Sequence, residues 1–285
     1  MEVLRNLADL EDYRHHIGLK KSEMLTLVPT MGSLHAGHLS LVQRAKEPSP
    51  EQPEALPAKV MVSIFVNPIQ FDQPEDLKRY PRQEEYDIAL LSEAGCDAVW
   101  IPDVKAMYPK GFATRIEVEG PALLWEGARR PGHFSGVATV VARLFGLITP
   151  DRAIFGEKDW QQLQVIKRMV ADLSLGIIIE GAPIVREEDG LALSSRNQFL
   201  TPTERAQAPI LYKTLLQVRE KLQNKAPHSV LQEARQTLTE KGFSVDYLEI
   251  VQKEEMLVAK AWSEHTRLIT AARLGSVRLL DNIGP

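Results

Sequence analysis

Short apolar runs alternate with amphipathic stretches of helical length up to about residue 183. Leu25–Val28, Lys59–Val66, Val99–Ile101 and Ile177–Glu180 each read as a buried strand, the pattern of a parallel sheet. Leu39, Leu41, Val42 and Ala45 recur at helical spacing, and Val137–Ile148 reads as an apolar helix. Residues 1–22 hold an amphipathic helix with Glu11, Asp12, Arg14 and Lys20 as solvated charges. Two buried strands flanking one helix make a βαβ unit. The strand at Leu25 is expected to stop at Pro29, which has no N–H to donate. Asp76–Glu93 reads as loop then helix, interrupted at Tyr80-Pro81-Arg82, and the alternation in Thr114–Glu119 predicts an edge strand or hairpin.

The texture changes after Pro183. A polar, hydroxyl-rich stretch, Val185–Asn197, leads to Thr201-Pro-Thr-Glu204, which has capping-box form with proline at the first helical position. A helix to about Lys225, kinked at Pro209, and a second over Leu231–Lys241 follow. Phe243–Val251, Arg267–Ala272 and Val277–Leu280 read as strands. The expected division is an α/β domain over 1–183 and a smaller α+β domain over 184–285.

The chain of 285 residues is 44% hydrophobic and 25% charged, ordinary for a globular protein with a core. A net charge of -4 gives no global basic surface, so nucleic acid is not an expected partner. No segment approaches membrane-spanning length, and residues 1–13 lack a signal-peptide apolar run. A single cysteine, Cys96, excludes an intramolecular disulfide; its apolar setting predicts an inert core thiol, and a reducing cytoplasm is the default. Glu47–Pro57, rich in proline and glutamate, is expected to protrude as a surface loop without a role.

Candidate chemistry gathers at strand ends. Gly32 and Gly37 let the backbone pass close to bulk, and His35 and His38 stand where a helix begins, a place suited to phosphate. The competing reading is an ordinary helix cap; a zinc site is weaker, since two ligands stand alone. Asn67 and Gln70 follow the next strand with amides that orient a polar substrate, or merely form a turn. The basic loop Ala128–Gly136 carries Arg129, Arg130 and His133, to touch an anion or to pack. Lys158 sits at another strand–turn–helix junction, Asp159 is placed for an N-cap, and of Gln161 and Gln162 one faces the cleft. Ser194, Ser195 and Arg196 suit a phosphate-grasping loop or an interdomain linker.

Five stretches taken together, Pro29-Thr-Met-Gly-Ser-Leu-His-Ala-Gly-His38, Phe65–Phe71, Arg130–Val137, Phe155–Leu163 and Asp189–Asn197, resemble the pantothenate synthetases in order along nearly the whole chain. The resemblance implies a Rossmann-like N-terminal domain, a C-terminal lid, and a homodimer through the N-terminal domain. It implies that ATP and pantoate give pantoyl adenylate and pyrophosphate, and that β-alanine then gives pantothenate and AMP, with Mg2+ accompanying ATP. By this resemblance His38 matches the proton donor, with His35, Lys158 and Arg196 beside it. Met31, Gly32, Ser33, Leu34, His35, Ala36, Gly37, His38, Gly156, Glu157, Lys158, Asp159, Val185, Leu193, Ser194, Ser195 and Arg196 match the ATP site. Gln70 and Gln162 match the pantoate clamp, with Asn67, His133 and Thr30 lining the same pocket. Where some relatives carry two adjacent aspartates near magnesium, this chain has Tyr86 and Asp87. Only Asp87 is then a metal candidate, and magnesium is expected mainly on the phosphates. A nucleotidylyltransferase acting on a phosphate acceptor, and a nucleotide-binding regulator without catalysis, are the rivals.

Overall fold

The computed structural model describes residues 1–18, 23–54, 56–71 and 74–285; Lys20, expected as a solvated charge, lies outside them. From the N-terminus the elements run β1 (Glu2–Leu4), α1 (Leu7–His16), β2 (Glu23–Thr30), α2 (Ala36–Ala45), β3 (Leu56–Ile64), α3 (Pro74–Arg79), α4 (Glu84–Glu93) and β4 (Ala98–Trp100). They continue with α5 (Val104–Met107), α6 (Glu126–Arg129), α7 (His133–Ile148), β5 (Arg152–Gly156), α8 (Trp160–Asp172) and β6 (Ile178–Ala182). After these come α9 (Pro202–Gln207), α10 (Ile210–Lys221), α11 (Pro227–Glu240), β7 (Phe243–Gln252), β8 (Thr266–Leu274) and β9 (Val277–Ile283).

Among the described residues, β1 to β6 form one sheet in the order β1-β4-β3-β2-β5-β6, with every neighbouring pair parallel. Side chains alternate across it as a period of two requires. Leu25, Leu27 and Met61 pack with α1, α7 and α8, while Val28, Val60, Val62 and Ile64 pack with α2 and α4. The sheet is therefore covered on both faces. β7, β8 and β9 form a separate antiparallel sheet whose apolar face packs on α10 and α11.

Strand order reverses at β2, which has β3 on one side and β5 on the other. The β2–β5 ladder holds only at Thr26 and Leu27, so the two strands part before their C-terminal ends. A crevice at such a reversal is where open α/β sheets bind ligands.

Several elements differ from expectation. β2 runs through Pro29 to Thr30. The Thr30 carbonyl accepts from Phe65 N on the β3 side and the Leu25 carbonyl from Asp151 N on the β5 side. Alternation turns Pro29 towards β5, past the end of that ladder, where a missing N–H breaks nothing. β1 was not foreseen: it is three residues long with Glu2 and Val3 exposed, too short to carry a period. Thr114–Glu119 forms no ladder; Ile116 and Val118 pack on the core while their neighbours are exposed, so alternation reports burial without pairing. α7 begins at His133, four residues before the expected Val137. The helix after Thr201 is broken at Pro209 into α9 and α10 rather than kinked. Asp159 stands at the N-cap of α8 without a capping hydrogen bond.

The Glu47–Pro57 segment does not simply protrude. Ser49 is 1% exposed and donates to Glu180 at 2.5 Å, while Glu180 also accepts from Arg152 at 2.7 Å and Arg44 at 2.9 Å. Glu51 to Glu54 are exposed, and Ala55 lies outside the described residues. Cys96 is buried and donates to Val60 and Ala98 carbonyls; burial pushes its thiol up to about 11, as an inert core thiol requires. No helix among the described residues is long and apolar enough to cross a membrane.

Candidate active site

The turn from β2 into α2 is built by side chains closing on their own backbone. Gly37 N–H donates to His35 Nδ1 at 3.1 Å, and His35 N–H donates to His38 Nδ1 at 3.3 Å, a capping box made of two histidines. Both Nδ1 atoms are acceptors, so each ring carries its proton on Nε2. The rings lie 4.2 Å apart. Burial, and then the Lys158 charge, hold His35 down to about 4. Burial, and then His35, hold His38 down to about 3. Both are neutral N–H donors at pH 7; the pair caps the helix, and both rings line the cavity described below. A Cβ on Gly37 would lie 2.9 Å from the His35 ring. Gly32 has φ +78, and a Cβ there would lie 2.9 Å from Asp87.

Asp87 is 1% exposed on α4, and its two oxygens accept from Ser33 N and Leu34 N at 2.8 Å each. Burial raises its pKa against these two bonds. The candidate metal ligand is thus the anchor of the turn, and Ser33 is held at φ 53. Among the described residues no three His, Cys, Asp or Glu side chains converge on a metal position.

Beyond β3 the same economy recurs. Asn67, 1% exposed, caps a 3-10 turn over Pro68–Gln70. It donates to Gln70 Oε1 at 2.9 Å and the Gly136 carbonyl at 3.1 Å, and accepts from Tyr108 at 2.7 Å. Gln70 in turn donates to Met31 Sδ at 2.9 Å. His133 bonds the Gln70 carbonyl through Nδ1 at 2.9 Å and meets Arg130 through Nε2 at 3.1 Å. Arg130 only donates, so Nε2 accepts and Nδ1 donates. Burial, and then Arg130, hold His133 down to about 4. Asn67 lines the smaller of two adjoining spaces and His133 the wider one, and both also hydrogen-bond Gln70.

On α8, Gln161 is buried and fully committed: it accepts from Glu126 N at 3.0 Å and donates to Pro121 and Leu124 carbonyls at 2.8 Å. Gln162 lines the space that His38 also lines, which Gln161 does not. Lys158 lies 3.8 Å from Asp159. Desolvation pushes the Asp159 carboxyl up, but Lys158, Arg196, His133 and Arg130 outweigh it and hold it below the usual range. The hairpin Val185–Leu193 closes through Leu193 N to Val185 O and delivers Ser194, whose hydroxyl accepts from Arg196 N.

These pieces meet. A cavity of about 220 Å³ is lined by Thr30, Met31, His35, Gly37, His38, Asn67, Gln70, Gly156, Lys158, Asp159, Gln162, Val185, Leu193, Ser194, Ser195 and Arg196. Phe65, Val137, Val141, Leu144 and Phe155 supply an apolar wall. A wider cleft of about 910 Å³ adjoins it, sharing Tyr80, Lys158, Asp159, Gln162, Ser195 and Arg196 and reaching His133, Arg273 and Arg278. Gly32, Ser33 and Leu34 are buried and Ala36 is exposed, none of them lining either space, and the Glu157 carboxylate pairs with Arg267 at 2.9 Å. Sequence reasoning missed Tyr80, which faces both spaces, noticing only the helix break at Tyr80-Pro81.

The arrangement gives two neutral imidazole donors, an ammonium, a guanidinium and two hydroxyls on one space, with carboxamides beside them. Such a set has the chemistry to bind a polyphosphate and to orient a small hydroxylated acid.

The family model described as pantoate-beta-alanine ligase matches residues 2–284. A pantothenate synthetase of Granulibacter bethesdensis is 51% identical over all of this chain and 97% of its own length. A crystal structure of pantothenate synthetase from Thermus thermophilus superposes with a TM-score of 0.90 at 49% identity, covering 100% of both chains. A pantoate-beta-alanine ligase from Francisella tularensis, complexed with beta-gamma ATP and beta-alanine, gives 0.80 at 35% identity, over 99% of this chain and 97% of that one. The chain belongs to the pantoate-beta-alanine ligase family.

Proposed function

We propose that the chain joins pantoate to β-alanine at the expense of ATP, through an enzyme-bound pantoyl adenylate. A pantoate carboxylate oxygen attacks the α-phosphorus, and the bond to the pyrophosphate leaving group breaks. The β-alanine amine then attacks the acyl carbon, the acyl C–O bond breaks, and AMP departs with that oxygen as the amine loses a proton. Negative charge builds on the phosphoryl oxygens and on pyrophosphate, so preset donors lower the barrier. His38 and His35 donate from Nε2, Lys158 and Arg196 neutralise charge, and Ser194 and Ser195 donate hydroxyls. Thr30, Gln70 and Gln162 hold pantoate, with Asn67 and His133 fixing Gln70.

Magnesium enters as the MgATP substrate, carried by phosphate oxygens as that ion commonly is. Residues 184–285 act as a lid that shields the mixed anhydride from water. The lid reading is supported by the wider cleft, whose walls come from Glu126 and Lys158 on one side and Arg273 and Arg278 on the other. A homodimer through the N-terminal domain and a cytoplasmic setting complete the reading, on family grounds.

One observation carries it: the two histidines, Lys158, Ser194–Arg196 and both cleft-facing glutamines line one cavity. The purified chain forms AMP from MgATP only when pantoate and β-alanine are both present. ATP turnover indifferent to pantoate would refute the reading.

A further inference from the structure

Lys158 and the Ser194–Arg196 segment come from different parts of the chain, one after β5 and the other after β6; those strands pair to their ends at Gly156 and Ala182, and beyond them both segments leave the sheet. What joins them is the C-terminal strand β9. Asn282, 2% exposed, directs its carboxamide N–H groups at two successive carbonyls of the Lys158 turn, Glu157 O at 2.9 Å and Lys158 O at 3.0 Å. Its oxygen accepts from Arg267, which also pairs with Glu157 at 2.9 Å and stacks 3.7 Å over the Trp160 ring. The preceding residue, Asp281, 4% exposed, holds the other segment. Both its oxygens accept from Arg186 at 2.7 Å, and Arg186 also donates to Gly190 O within the hairpin that delivers Ser194. The Asp281 carboxylate also accepts from the Asn282 backbone N–H at 2.7 Å, which fixes it against the residue that holds the Lys158 turn.

We propose that Asp281 and Asn282 are positioning residues forming a strap that sets the separation between the Lys158 ammonium and the Ser194–Arg196 donors; this rests on the ligase reading above. Neither side chain is needed to close the β7–β8–β9 sheet, whose ladder is made by backbone groups. A merely structural polar pair has no reason to direct both amide protons at the turn that carries Lys158. Misplacing a charge-stabilising group by about 1 Å costs on the order of 10²-fold in rate, so a strap of this kind acts on the chemical step.

The test uses the full chain. Asn282→Ala and Asp281→Asn should each lower kcat by 10-fold or more, while KM for pantoate moves less than threefold, because Gln70 and Gln162 are not held by the strap. Asp281→Glu, which keeps the charge for Arg186, should recover most of the loss. Independently of turnover, Asp281→Asn should speed amide hydrogen exchange in the Glu157–Trp160 peptide, although Asp281 touches only the hairpin side. Full kcat in both loss variants, or unchanged exchange in that peptide, overturns the strap. Failure of either variant to fold would make the pair a fold determinant and overturn it too. A parent chain without pantoate-dependent AMP formation would sink the ligase reading instead, and the exchange measurement would still decide the strap.

Discussion

At His38 one ring nitrogen serves the fold and leaves the other free for the proposed chemistry. Its Nδ1 closes the capping box and so fixes the proton on Nε2, while burial keeps the ring neutral. His38→Ala removes a preset donor and should lower single-turnover adenylation by about 10²–10³-fold, with a much smaller effect on thermal unfolding; unchanged adenylation would contradict this. The buried histidines also set a pH dependence. His35, His38 and His133 sit at about 4, 3 and 4 in the folded chain, against 6.5 when unfolded. Below pH 6.5 the unfolded chain therefore takes up protons that the folded chain refuses. Their effect on stability is absent above pH 6.5 and grows as pH falls through 6 and 5 towards 4, by up to about 1.4 kcal/mol per pH unit for each histidine. Urea melts at pH 7.5, 6 and 5 should show a falling midpoint; a rising one would contradict the assigned burial. Gln161 and Gln162 show what sequence could settle: helical spacing says that only one faces the cleft, and not which.

Among the elements, the β2–turn–α2 unit was the most legible, because its period switches from two to 3.6 at glycines and histidines. Its anchor was not. Asp87 lies 54 residues from Ser33 in the chain, and nothing local says that an acid on α4 will accept two amides of a turn after β2. Asp87→Asn leaves one oxygen and sets an NH₂ group against a backbone N–H, a loss of about 1–3 kcal/mol for a buried pair. The expected outcome is a lower melting temperature and weaker ATP binding together; wild-type values for both would show that the turn holds itself. β1 and the Thr114–Glu119 segment fail for the opposite reason. Three residues are too few for a period, and alternation in a segment that packs on α7 mimics a strand. The strap residues on β9 were likewise illegible: the expected strand stops at Leu280, and β9 runs on through Asp281 and Asn282 to Ile283.

At the scale of the molecule, the parallel sheet parts at β2 and β5, and β9 of the antiparallel unit is bonded to the turn that follows β5. Contacts across the junction are both polar and apolar: Arg278 holds Glu126 at 2.6 and 2.7 Å, Tyr247 donates to the same carboxylate at 2.9 Å, and Val251, Met256 and Ile269 pack with Trp125 and Trp160. The motifs in sequence announced the groups that meet there, because phosphate-binding residue types cluster at strand ends. They did not announce the tertiary ties that hold those groups in register. The central claim is that this cavity directs a pantoate carboxylate oxygen onto the α-phosphorus of ATP. Pantoate labelled with oxygen-18 in its carboxylate tests it most directly, by mass spectrometry of the products. One labelled oxygen should appear in AMP and one should remain in pantothenate; unlabelled AMP formed alongside pantothenate would contradict the adenylate route.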